Sequence, residues 1–119
     1  MPDGIVDGCW NPATAKYDLV VHVDGGRLDF LWRRGLAAFE DVQEIPTTLK
    51  NPDSVFESID GDRLYFRQPS RQDRPDQVFF VRVRPTGSRA FVWDFEPADP
   101  KDNKLPMNRG ADRISRRLR

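Results

Sequence analysis

Three short runs of strand-forming residues constrain this chain more than anything else in it: Arg63-Leu64-Tyr65-Phe66-Arg67, Val78-Phe79-Phe80-Val81-Arg82-Val83-Arg84 and Ala90-Phe91-Val92-Trp93-Asp94-Phe95. Each is rich in β-branched and aromatic residues, and turn-forming segments separate them, the pattern of an antiparallel sheet. Asp60-Gly61-Asp62 leads into the first run, and Pro69 to Asp76 reads as a polar loop. Pro85-Thr86-Gly87-Ser88 reads as a hairpin turn between the second and third. If that turn is a symmetric four-residue loop, Arg84 faces Arg89, Arg82 faces Phe91, Phe80 faces Trp93 and Val78 faces Phe95, all on one side of the sheet. The opposite side then carries Val83 with Ala90, Val81 with Val92 and Phe79 with Asp94. Being the more aliphatic side, it is expected to meet helices.

Upstream, Tyr17 to Val23 alternates as a strand. Asp24-Gly25-Gly26 suits either a hairpin or a helix start capped by Asp24. Leu28, Leu31, Trp32 and Leu36 recur at helical spacing, which favours a helix, while Leu28, Phe30 and Trp32 also alternate as a strand would. Leu36 to Glu44 is predicted to be helical, and Pro46 to break or restart that helix. Asn51-Pro52-Asp53 marks a turn, with Ser54 to Ser58 a short helical turn beyond it. The expected fold is therefore α+β, with short helices packed on one face of a small antiparallel sheet of about four strands. Residues 1–16 read as an irregular lead whose Trp10 tucks onto the body, and 17–97 as the single folded domain. Residues 98–119 read as a Pro-interrupted basic tail in which Arg109 to Leu118 has room for a short helix.

A chain of 119 residues closes one hydrophobic core comfortably and two poorly. Its 19 acidic and 19 basic side chains cancel, so net charge points to no partner. Their distribution is uneven. From Lys101 onward seven basic residues face only Asp102 and Asp112, so the tail is a basic arm on a mildly acidic body. Cys9 is the only cysteine, which rules out an intramolecular disulfide and a thiolate metal cluster and fits a reducing compartment. With no secretory leader and no long apolar run, a cytoplasmic chain without membrane association is expected.

The face combining Phe80, Arg82, Arg84, Arg89, Phe91 and Trp93 is the main candidate site. Single-stranded RNA needs cations along its backbone and flat surfaces under its bases, and arginine beside aromatic rings supplies both. The same residues also suit a second core layer with arginines snorkelling at its rim. Arg109 and Arg113 of the tail are further candidates for phosphate contact. His22, the only histidine, is the one side chain that titrates near neutrality without perturbation, and so a candidate proton shuttle. Asp60, Asp62, Asp94, Glu96 and Asp99 have the chemistry to hold a hard cation, but turn formation and pairing with nearby arginines account for them better. No nucleotide-loop, zinc-protease or serine-hydrolase motif is present, and no cofactor or metal is expected.

The order of elements resembles the phage-associated nuclease-like domains grouped with barnase, EndoU, colicin and RelE toxins. The likeness rests on a helix ending near Arg33-Arg34-Gly35, a helix from Asp41-Val42 to Leu49, the Asn51-Pro52-Asp53-Ser54-Val55 turn and the three strands. It covers a little over half of the chain, and Leu49 to Val55 is its most distinctive part. The resemblance implies helices on an antiparallel sheet whose concave face binds and cuts RNA. The chain departs from it where chemistry is concerned. Asp29, Trp32 and Arg34 stand in the helix where active members carry histidine, and Trp93 and Phe95 stand where a hydroxyl and a tyrosine are usual. The implied function is an RNA-binding domain of nuclease-toxin type. If it cuts, the expected reaction is metal-independent transesterification, with Arg82 and Arg84 as phosphate clamps and His22 moving the proton. A different class also fits: a non-catalytic phage or mobile-element interaction module that forms a homodimer or docks a protein partner through the aromatic face.

Overall fold

A computed structural model of the chain describes residues 3–33, 43–68, 78–98 and 114–119. Among the described residues seven strands form one sheet: β1 (Gly4–Asn11), β2 (Lys16–Val23), β3 (Ser54–Ser58), β4 (Arg63–Arg67), β5 (Val78–Thr86), β6 (Arg89–Ala98) and β7 (Ile114–Arg117). Two short helices among the described residues, α1 (Gly25–Arg33) and α2 (Glu44–Lys50), lie between β2 and β3 in the chain. The sheet order is β1-β2-β6-β5-β4-β3-β7. All neighbours are antiparallel except β2 and β6, which run parallel through Val21 with Ala90 and His22 with Phe91.

This overturns the expected architecture. Strands make up 58% of the described residues and one sheet holds seven of them, in place of about four strands under several helices. Three segments account for the difference. Gly4–Asn11, read as irregular, pairs with β2 despite two register shifts, which explains why its apolar residues do not alternate cleanly. Ser54–Ser58, read as a helical turn, is held between β4 and β7. Ile114–Arg117, read as helix-forming, is an edge strand on β3. Five- and four-residue strands of mixed polarity carry almost no periodic signal. Their backbone hydrogen-bonding groups are paired by neighbours distant in sequence.

Other elements form as local chemistry dictates. The Asp24 carboxylate accepts from the backbone amides of Gly26 and Arg27 at 2.9 and 3.2 Å, and so caps α1. Pro46 sits in the first turn of α2, where its missing N–H costs nothing. The rest of the predicted 36–44 helix falls outside the described residues, as do the 69–76 loop, Arg109 and Arg113. Among the described residues no helix is long and apolar enough to cross a membrane.

One face of the sheet encloses the core, and will be called the inner face. Val6, Cys9 and Trp10 of β1 meet Val21, Val55, Tyr65, Val81, Val83, Ala90, Val92 and Phe95, with Leu28 from α1 and Ile45 and Leu49 from α2. The sheet curls around this cluster until its two ends approach. The Tyr65 hydroxyl donates to the Trp10 carbonyl at 2.7 Å across the interior, and the Arg119 guanidinium donates to the Tyr17 hydroxyl at 3.2 Å. Burial pushes the Tyr65 hydroxyl's pKa upward, so it stays a neutral donor. Burial likewise pushes the Cys9 thiol up to about 11, which makes it an inert core residue.

Candidate nucleic-acid interface

The register of the β5–β6 hairpin decides which side chains share the outer face. The turn is two residues shorter than the spacing suggests: Thr86 pairs with Arg89 and Pro85 with Ala90, leaving Gly87 and Ser88 as the loop. Gly87 has φ 63°, the left-handed conformation that the first position of a type II′ hairpin turn requires. Arg84 therefore lies opposite Phe91 instead of Arg89. Beyond Val83 and Val92 the register shifts again, so that Arg82 pairs with Asp94 and Val81 with Phe95, with Trp93 as the extra residue of a bulge. The bulge turns Phe95 into the inner core, where it is buried, and brings Asp94 to the arginine side. Neither Phe80–Trp93 nor Val78–Phe95 is a pair: Phe80 faces Glu96 and Val78 faces Ala98.

Across the outer face one row crosses four strands and ends at Asp62, the residue before β4. Ile5 pairs with His22, His22 with Phe91 and Phe91 with Arg84, and Arg84 reaches Asp62. Asp62 is the hub. Its side chain is only 3% exposed, and it accepts from Arg82 Nε at 2.6 Å, from Arg84 Nε at 3.1 Å and from an Arg84 terminal nitrogen at 3.1 Å. Asp60 adds a second carboxylate 3.7 Å from Arg82. The β3–β4 turn holds the hub in place: the Asp62 amide donates to Ser58 Oγ, and the Ser58 amide to the Asp62 carbonyl. Burial opposes the charge on Asp62, but hydrogen bonds and attraction from Arg84 and Arg82 outweigh it and hold the carboxyl below the usual range.

Beside this hub stands an alternating stack of rings and guanidinium groups. Arg84 Cζ lies 4.0 Å from the Trp93 ring centroid, Arg27 Cζ lies 4.2 Å from the same centroid, and Arg27 is also 5.2 Å from the Phe30 ring. Phe30, Arg27, Trp93 and Arg84 thus form a ladder of cation–π contacts from α1 to β5. Arg27 is fixed at its edges too. Its Nε donates to the Trp93 carbonyl at 2.8 Å and a terminal nitrogen to Asp94 at 3.3 Å. This follows from topology: β2 leaves β6 after His22, and the α1 side chain satisfies the β6 carbonyl that a strand would otherwise meet.

The residues singled out from sequence are thereby sorted. Arg84, Phe91 and Trp93 come together and remain partly exposed, with Arg89 exposed at the hairpin tip. Arg82 and Phe80 lie on the same face but are buried, Arg82 in the Asp62 hub and Phe80 in a small cluster with Leu64 and Phe66. His22 reaches the site: its ring centroid is 5.3 Å from that of Phe91. Among the described residues no acid or base stands with it in a hydrogen bond or ion pair. Asp60, Asp62 and Asp94 pair with arginine, and no group of carboxylates, histidine or cysteine among the described residues is arranged for a metal. Arg27, Phe30 and the hub role of Asp62 were missed. Arg27 and Phe30, at i and i+3 of a capped helix, carry a local signal, but their meeting with Trp93 depends on the β2–α1 exit path. Searches for relatives add nothing to this geometry: no family model matches the chain, and neither a curated protein nor a solved structure matches it significantly.

Proposed function

We propose that the chain binds single-stranded RNA on the outer face of its sheet, at the end of the Phe30–Arg27–Trp93–Arg84 ladder. The ladder is the observation that carries this reading. Nucleobases stack on guanidinium planes as they do on aromatic rings, and Arg84 is held flat by Trp93 on one side and by Asp62 along its edge. An arginine immobilised in this way loses little further freedom when a base settles on it. Phe91 and His22 extend the platform, and Arg89 supplies a cation at its margin. Because Asp60, Asp62 and Asp94 offset Arg82, Arg84 and Arg27, stacking dominates over phosphate neutralisation. Binding therefore depends only weakly on salt, with a log–log slope of about −1.

Binding without cleavage is the better-supported form of the resemblance to nuclease-like domains. Proton transfer at a phosphodiester needs a shuttle and a second group beside it, and among the described residues no acid or base is in hydrogen-bond or ion-pair contact with His22, whose ring lies against Phe91. Fluorescence anisotropy with a labelled single-stranded RNA tests the proposal, against duplex RNA and single-stranded DNA of the same sequence. Trp93→Ala, which removes the ring that holds Arg84 flat, is expected to weaken binding about tenfold. Binding by Trp93→Ala and Arg84→Gln equal to that of the unaltered chain, or no binding at all, overturns it. Cleavage of total RNA that disappears in His22→Ala moves the ribonuclease form ahead.

A protein-partner reading draws on a separate observation. Ile5 and Val20 are 59% and 40% exposed, and Ile5 pairs with His22 at one end of the same row. Light scattering on the unaltered chain and on Ile5→Asp separates the two, since only a partner interface loses an oligomer.

A further inference from the structure

We infer that Arg84 reads base identity at the platform, and that the base it selects is guanine. This rests on the RNA-binding reading and deepens it: stacking uses the open face of the guanidinium, whereas selection uses its tip. A guanidinium carries all its N–H donors in one plane. Asp62 occupies one side of that plane, with Arg84 Nε donating to Oδ1 and Nη2 to Oδ2, each at 3.1 Å. Nη1 and the outward N–H of Nη2 have no partner among the described residues, and together they form a second fork at the end of the side chain. Exposure separates the members of the hub. The Asp62 side chain is 3% exposed and that of Arg82 10%, whereas that of Arg84 is 38% exposed, so its tip stays open to a ligand. The fork is also aimed before any ligand arrives. The Asp62 amide donates to Ser58 Oγ, and the Trp93 ring lies 4.0 Å from Arg84 Cζ, so an acceptor at the tip costs little further side-chain ordering.

A planar fork selects a ligand that offers two adjacent acceptors in one plane. Phosphate and carboxylate groups do so, but each brings a negative charge to a site where Asp60, Asp62 and Asp94 already offset Arg82, Arg84 and Arg27. An uncharged pair of acceptors avoids that repulsion. Guanine supplies one in N7 and O6, the commonest partner of an arginine fork among the bases. Adenine sets its N6 amino donor beside N7, and uracil sets its N3–H beside O4, so each opposes one arm of the fork. Cytosine has O2 and N3, but its single ring gains less than a purine from stacking near Phe91, which lies opposite Arg84, and His22 beside it. Two nucleotides then share Arg84: one base stacks on its open face, and a neighbouring guanine meets its tip.

Fluorescence anisotropy on the full chain tests this, using short oligouridylates unaltered or carrying one central guanosine, adenosine or cytidine. The guanosine oligomer is expected to bind about tenfold more tightly than the other three. Replacing guanosine by 7-deazaguanosine puts C–H in place of N7, and is expected to bring affinity within about twofold of the adenosine oligomer. That arm alters the RNA alone, so it reads the fork with the fold untouched. Arg84→Lys keeps the charge but lacks the fork, and is expected to bind all the oligomers within about twofold of one another. Measurable but equal binding of every oligomer by the unaltered chain leaves the RNA reading standing and overturns guanine selection. A preference for cytidine overturns it too, as does a guanosine preference that persists with 7-deazaguanosine or in Arg84→Lys. Absence of binding to every oligomer overturns both readings.

Discussion

The inner and outer faces of this sheet are built from alternate residues of the same strands, yet they are held together by different forces. On the inner face, Val81, Val83, Val92 and Phe95 are almost completely buried among other apolar side chains, and the main polar link between distant strands is the Tyr65–Trp10 hydrogen bond. On the outer face, Arg82, Arg84, Asp62, Arg27 and Asp94 form a charged network threaded by Trp93. Apolar burial is insensitive to pH and is weakened by loss of volume. A buried ion network depends on every member being present and ionised. The difference teaches that arginines read as ligand clamps are first of all structural counter-charges, so any ligand has to use what the network leaves exposed.

The largest effects expected are at the centres of the two faces and are similar in size. Asp62→Ala leaves Arg82 buried without its main counter-charge and should cost about 3–5 kcal/mol. Phe95→Ala, which opens a cavity in the inner core, should cost about 3–5 kcal/mol. Denaturant titration measures both, and a loss below 1 kcal/mol for Asp62→Ala would break the contrast between the faces.

Acid separates them next. The Asp62 carboxyl is held below its ordinary value, so its contribution is complete above the usual carboxylate pKa and declines as pH falls through the lowered, folded-state value. Stability of the unaltered chain should therefore drop on acidification below about pH 4. Asp62→Asn should flatten that slope, while Phe95→Ala should leave it parallel to that of the unaltered chain.

Smaller effects probe polarity inside the apolar face. Tyr65→Phe removes a buried hydrogen bond and strands the Trp10 carbonyl, at a cost of about 1–2 kcal/mol by thermal unfolding. Thr48 is fully buried on α2 and its hydroxyl has no hydrogen-bond partner among the described residues, so Thr48→Val should be neutral or raise stability by about 1 kcal/mol. A clear loss there would mean that the inner face uses polarity as the outer face does.

Parts of this molecule were legible before any coordinates. The alternation in Tyr17–Val23 and the density of strand formers in 63–67, 78–84 and 90–95 reflect burial on a pleated surface, and those segments are strands. Asp24 followed by two glycines suited either a hairpin or a capped helix, and the cap forms, an N-cap being a local bond between near neighbours. The arginines and aromatics of the candidate site were visible by type, and Arg84, Phe91 and Trp93 do meet. His22 entered as a candidate proton shuttle, and its ring lies beside that of Phe91.

The amino-acid sequence by itself determined which central segments extend and which face is aliphatic enough to enclose a core, since each depends on residues within a few positions of one another. Only the tertiary structure decided the rest. A single extra residue at Trp93 reverses the facing of Phe95 and Asp94, and nothing local distinguishes a bulged strand from a regular one. Pairing across the sheet turned Ser54–Ser58 and Ile114–Arg117 into strands, because an edge offers unpaired backbone groups that outweigh weak local preference. The same pairing placed Asp62 between Arg82 and Arg84, making a charged hub of residues that are twenty and more positions apart.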